Sequence, residues 1–472
     1  MRTTPLRADA VASRDRRAIA AGGGGLAAVT LAGLVVAVGV GAVAVAVAER
    51  TSYQLWGAML VLPALALVSL PLLQRVARAE DDRGVTRLVV VALLVKMAAS
   101  GARYVMAFGL YGGVADANAY GSRGAELAAL FRQGDVSLDA ARHVPGTGVV
   151  DVATGAVFAV TGATLLGAFL VFAWGAFWGQ YLCYRAVRVG LPGSDHRRYA
   201  LLVLFVPSLL FWPSSVGKES WMLFGLGLAA YGAARVFRGR FGGYHLLVAG
   251  SVWVGLVRPH MAALVAVSLL FALLLATSRD RARPPAAAFA AQLVGLVVVV
   301  AATAYALQQV QAFFEVEGLQ GLQGQVEQVA NQTATGGSAF QPTQVRSLVD
   351  FPLGAVSVLF RPWPFEVHNA QALLASAEGL LLLALMVAGR QRLATAVREA
   401  RARPYLVFAL VFSVLFVVAF SYVGNFGILA RQRVQLYPFV LVLLAIVPLR
   451  RPRPSDREPR RAADGRHGER VR

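Results

Sequence analysis

Cysteine is nearly absent from this chain: one residue, Cys183, in 472. A single thiol excludes an internal disulfide and a cysteine-clustered metal site. It lies in an apolar run and reads as packed core. Lysine is almost as scarce, occurring only as Lys96 and Lys218. Acidic residues are also few, 25 against 45 basic ones, which leaves a net charge of +20. The motifs of soluble catalysis are missing as well. There is no Walker sequence, no H-E-x-x-H and no His/Cys metal spacing. The glycines at 22–25 lie inside an apolar stretch with no strand before them, so they form no phosphate loop. No segment has the size of a soluble nucleotide domain, which argues against an enzyme that draws on nucleotide sugars. No cofactor is expected, and a requirement for a divalent metal stays open.

What the chain does have is hydrophobic length. Apolar residues make up 57%, more than the roughly 45–50% of a soluble domain. They fall in blocks that approach the ~20 residues needed to span a bilayer as a helix. A spanning backbone satisfies its own hydrogen bonds, so these blocks are helices. No block alternates like a membrane β-barrel. The expected fold is an all-α integral membrane protein with about 12 transmembrane helices. A basic tail, 1–18, precedes a polytopic domain, 19–449, and an Arg-rich, Pro-containing tail, 450–472, follows it. The apolar stretch from Ile19 is too long for a cleaved signal peptide and reads as an uncleaved first helix.

The spans are placed at about 19–48, 54–74, 88–112, 163–187, 199–213, 220–235, 244–257, 261–277, 286–307, 371–389, 405–423 and 434–449. Strict alternation puts every densely Arg-rich loop on one side, which satisfies the positive-inside rule. Both termini are then cytoplasmic, and the basic balance belongs to a membrane surface rather than to nucleic acid. Large outer loops follow at 113–162 and 308–370, with the apolar piece 149–161 lying along the membrane or opening the next span. Lys96, inside the third span, is a mid-span charge without an evident partner.

Topology then sorts the charges. The outer side keeps few cations, among them Lys218, Arg258, Arg361, Arg431 and Arg433, several of them at helix ends in separate turns. Charges at membrane depth usually face a cavity or a partner, although a long side chain can also snorkel to the interface. Guanidinium and ammonium groups gathered there would suit a phosphate. Lys218–Glu219 occupies a short turn between Trp212–Pro213 and Trp221, and Arg258–Pro259–His260 has no polar loop around it. In RPWPFE, Arg361 and Glu366 bracket Trp363 and Phe365, aromatics that fit interfacial anchoring or a sugar face.

The first outer loop carries Asp116-Ala-Asn-Ala-Tyr120, then GSRGAELAALFRQGD, then RHVPGTG with His143 and Pro145. The second outer turn is VPSLLFWPSSVGKES, and ARQRVQLYPF sets Arg431 and Arg433 ahead of Pro438. In order and spacing the chain resembles the GT-C superfamily of polytopic membrane glycosyltransferases, with a distant likeness to families 39 and 83. That pattern has an acidic residue in D-x-x-x-Y of the first outer loop, often a His-Pro-Pro segment, and an Arg before the proline of the last helix. The paired Asp-Glu of many relatives is missing here.

The resemblance implies transfer of a hexosyl or pentosyl unit, with inversion, on the outer face of the bacterial cytoplasmic membrane. The donor would be a polyprenyl-phosphate-linked sugar; the acceptor would be a cell-envelope glycan, lipid or protein. Asp116 would be the base. Tyr120, His143, Lys218, Glu219, Arg258, His260, Arg361, Arg431 and Arg433 would surround the lipid phosphate and the substrates. The set KES, RPH, RPWPFE and RQR is also similar to bacterial envelope-polysaccharide membrane proteins, so a polymerase or ligase acting on lipid-linked glycans is the alternative. A transporter would need an internal repeat and broken helices with charges at the midplane, which the sequence does not display.

Overall fold

The computed structural model describes residues 53–80, 82–113, 116–138, 141–142, 144–275 and 338–448. The expected spans at 19–48 and 286–307, both tails, His143 and residues 308–337 lie outside them. Among the described residues there is no strand, and an isolated bridge pairs Ala339 with Asn425.

Among the described residues, five helices are long and apolar enough to cross a membrane. They are α1 (Tyr53–Ala79), α2 (Arg83–Tyr104, prolonged by a π-helical turn, Val105–Leu110), α5 (Leu165–Gly190), α8 (Lys218–Phe237) and α12 (Ala370–Ala388). Shorter helices fill in around them. These are α3 (Asp116–Arg132), α4 (Thr147–Thr161), α6 (His196–Phe205), α7 (Pro207–Phe211), α9 (Gly243–Val257), α10 (Pro259–Leu275) and α11 (Phe351–Phe360). The chain closes with α13 (Arg390–Glu399), α14 (Pro404–Phe420), α15 (Phe426–Gln432) and α16 (Tyr437–Val440), the last followed by a 3-10 turn. Two bent pairs, α13 with α14 at 116° and α15 with α16 at 52°, raise the number of possible crossings to seven.

Local sequence fixes where several helices begin. Asp82 accepts from Gly84 N, Asp195 from Arg198 N, and Asn425 from Ile428 N, each an N-cap that satisfies an otherwise free amide. The core then forms around α5, which packs against α1, α2, α6 and α8. The α5–α8–α9 layer is held close by glycine. A Cβ on Gly227 would lie 2.1 Å from Gly179 O, and one on Gly250 2.3 Å from Ala229 N. Small residues at such crossings let helix backbones approach. Trp221 and Trp253 lock α8 to α9: their rings stack at 3.8 Å, and each indole N–H donates to the other's carbonyl. Gly227→Val is therefore expected to prevent close packing of α8 on α5. The clash is with backbone, so no rotamer relieves it, and overpacking costs about 1–3 kcal/mol or more. Monodisperse protein on detergent size-exclusion should fall sharply for Gly227→Val and stay near wild type for Gly175→Ala, whose site is open.

Two expected spans are broken. Residues 199–213 split at Val206, which is extended (ψ 127°) ahead of Pro207, as a residue before proline prefers. Residues 434–449 are not one helix: a 3-10 turn, Arg433–Gln435, leads out of α15, the chain bends, and α16 and a second 3-10 turn, Leu441–Ala445, follow. Broken helices with buried charge are therefore present, against the sequence expectation. The charge is Lys96, fully buried, whose ammonium donates to Leu209 O at 2.6 Å and Leu210 O at 3.4 Å. At the other end of α7, Ser208 N donates to Glu378 Oε2 at 2.6 Å. The mid-span lysine thus has a partner: the C-terminal carbonyls of a short helix, where a cation is favoured.

Candidate functional site

Separate segments of the chain deliver the polar residues of one cavity of about 610 Å³. Asp116 opens α3, and Tyr120 follows one turn later on the face that α3 buries. Lys218 and Glu219 open α8, after the extended Gly217. Arg258 sits at the joint of α9 and α10, where Pro259 stops the ladder. Arg431 and Gln432 close α15. All of these line the cavity, and Arg103 and Arg142 line it with them. Five cationic side chains therefore face two carboxylates, Asp116 and Glu219.

The contacts have a clear order. Arg431 Nη1 donates to Asp116 Oδ2 at 2.7 Å, and the Asp116 side chain is 71% exposed. Arg258 stands 3.7 Å from Glu219 Oε1 and donates to Gln432 Oε1, which also accepts from Gln435 at 2.7 Å. Arg142 makes a two-point contact with the fully buried Asp151, at 2.8 and 2.6 Å, and lies over the Tyr120 ring at 4.8 Å. Those hydrogen bonds hold the Arg142 guanidinium above its ordinary pKa, while burial acts in the opposite direction. Burial, reinforced by the Glu219 carboxylate, pushes the Tyr120 hydroxyl above its usual range, so it stays a neutral donor. Arg103 stacks over Phe211 and Trp212 at 4.7 and 4.9 Å. Neither Arg103 nor Lys218 makes a hydrogen bond or ion pair with another described residue. Two cations are thus available to an incoming anion, at a site that also offers the N-terminus of α8.

The structure places the other expected site residues elsewhere. Arg361 is paired with Glu366, at 3.0 and 3.1 Å from its Nε, and packs over Phe340 and Phe426. Burial raises the Glu366 pKa, but the Arg361 hydrogen bonds outweigh it and hold the carboxyl below its ordinary value. Arg361 therefore braces the start of α15 rather than lining the cavity. Arg433 is 2% exposed and donates to Leu359 O at 2.9 Å, near the C-terminus of α11. It lies two residues past Arg431, in the 3-10 turn, and faces the core. His260 follows Arg258 into α10, with its ring 6.3 Å from Phe420, and does not line the cavity. His143 lies outside the described residues.

Sequence reasoning did not assign Arg103, Arg142, Gln371 or Gln432 to the site. Arg103 is hidden inside an apolar span. Gln371 and Gln432 carry no charge to mark them. Among the described residues no three His, Cys, Asp or Glu side chains gather as metal ligands would. Comparison with protein-family models, curated proteins and solved structures finds no match.

Proposed function

We propose that the cavity is the active site of a membrane glycosyltransferase that takes a sugar from a polyprenyl-phosphate donor. One observation carries the reading. Asp116, Tyr120, Lys218, Glu219, Arg258 and Arg431, distant in sequence, surround a single cationic cavity. In the proposed step the acceptor hydroxyl oxygen attacks the anomeric carbon. The bond from that carbon to the phosphate oxygen breaks, and the phosphate leaves with the electron pair. Asp116 takes the hydroxyl proton. Lys218, Arg103 and Arg258 hold the phosphate and offset its growing charge. Arg431 orients the carboxylate that it touches.

The membrane setting supports the same reading. From Phe169 at the cavity, α5 runs to Arg185 and Arg188, and α8 runs from Lys218 to Arg235. At 1.5 Å per residue each path covers roughly 25 Å, close to a hydrocarbon core. The arginines would mark the cytoplasmic end and the cavity the outer end, in the roughly twelve-span topology of a bacterial cytoplasmic membrane protein. A second reading draws on the same charge count. Five cations exceed what one lipid phosphate needs, and two lipid-linked glycans would use them, as in an envelope polysaccharide polymerase or ligase.

Membranes holding the wild-type chain should move label from one of a panel of radiolabelled polyprenyl-phosphosugars to an endogenous envelope acceptor. One added sugar supports the transferase. A ladder of products from a lipid-linked repeat unit supports the polymerase. No transfer in either format overturns both.

A further inference from the structure

Lys96 and Glu378 are buried in the apolar part of the bundle, at 0% and 7% exposure. They take no part in the cavity and do not pair with each other. Isolated buried charges are expensive, so each should be held by a specific contact. Both contact α7, and Glu378 also faces the Tyr437 hydroxyl. Glu378 accepts the Ser208 N–H in the first turn of α7, and Lys96 donates to the Leu209 and Leu210 carbonyls in its last. A helix of five residues does not stand alone. Opposite charges at its two ends match its dipole and satisfy an amide left free by the break before Pro207 and carbonyls in the last turn of α7.

The end of α7 next to Lys96 leads into the cavity. Phe211 and Trp212 form the shelf on which the Arg103 guanidinium lies, and Arg103 and Trp212 both line the cavity. Arg103 Nε is buried without a hydrogen bond. Its placement therefore depends on the shelf rather than on polar partners. We propose that Lys96 and Glu378 are positioning residues for Arg103: they clamp α7 at both ends, and α7 sets the aromatic shelf that aims the guanidinium at the bound anion. This rests on the reading of the cavity as a phosphate site, and the test separates the two.

The first arm uses the full chain in lipid nanodiscs, with inorganic pyrophosphate as the probe and calorimetry as the readout. Lys96→Met and Arg103→Met should each weaken binding about tenfold, and the double variant no more than Arg103→Met alone, because both remove one interaction. Lys96→Arg should restore affinity to within about threefold of wild type, since it keeps the donor to the carbonyls. Wild-type affinity in Lys96→Met, or losses that multiply in the double variant, would overturn the proposal.

The second arm needs no ligand. Val216, 2% exposed just past α7, is replaced by Cys in a Cys183→Ala background and labelled with a charged maleimide. Lys96→Met or Glu378→Leu should speed labelling about tenfold, by raising the open population of that segment, and Lys96→Arg should not. Equal rates in all variants would overturn the clamp. If wild type binds no pyrophosphate, the phosphate-site reading fails, and the labelling rates still decide the clamp.

Discussion

With Asp116 as the proposed base, Asp116→Asn is expected to lower sugar transfer by about 10²–10⁴-fold, the usual contribution of a general base, and to leave the amount of folded protein unchanged. The two halves of this expectation have separate grounds. The chemical half follows from position. Asp116 is one of two carboxylates facing the cavity, and at 71% exposure it is open to an acceptor hydroxyl. Asn keeps its size and shape but cannot take a proton. The folding half follows from the weakness of the pair it breaks. The Asp116–Arg431 contact joins a largely exposed carboxylate to a guanidinium that is 31% exposed, and such pairs are worth about 0–1 kcal/mol. Arg431 also keeps its contact with Gly427 O. The measurement is initial transfer rate per folded protein, with Glu219→Gln alongside. Glu219 is only 16% exposed and stands beside Arg258, so its loss should act mainly on substrate affinity. If Glu219→Gln abolished transfer and Asp116→Asn left it within threefold of wild type, the base would be Glu219.

Part of the cavity's charged lining was legible in the sequence because charge is scarce between apolar blocks. Asp116, Lys218, Arg258 and Arg431 stood out at helix ends before their proximity was known. Arg431 and Arg433 looked equivalent, being two residues apart. The structure separates them because the chain leaves α15 between them in a 3-10 turn, which sends one guanidinium to the cavity and the other to the core. Arg103 was not legible, since composition alone gives a span no facing direction. Lys96 had no explanation in its own helix: its acceptors belong to residues 113 and 114 positions away. They are free to bond only because α7 ends there. The span at 199–213 has the hydropathy of a continuous helix, and Pro207 alone marks the break. Hydropathy counts apolar residues but does not register a missing N–H.

Arg142→Met is expected to destabilise the chain more than Asp151→Asn, although both break the same pair. The reason is where the surviving charge is left. Asp151 is 0% exposed and Arg142 34% exposed. Removing the arginine strands a carboxylate inside α4, which for a buried pair costs about 3–5 kcal/mol. Removing the carboxylate's charge leaves a guanidinium that water can reach, at a much smaller cost. Combining the two changes should recover most of the folded protein, because no unpaired buried charge remains. Thermal aggregation in detergent, followed for the two single variants and the pair, reads this order directly. Equal losses in both singles, or no recovery in the double, would mean that the pair contributes by packing rather than by charge. The double variant also isolates function. It restores the fold but leaves Tyr120 without its cation and the cavity with four cationic side chains instead of five. If Arg142 serves the bound phosphate as well as Asp151, the folded double variant should show a raised KM for the donor at little change in kcat, the pattern of lost uniform binding.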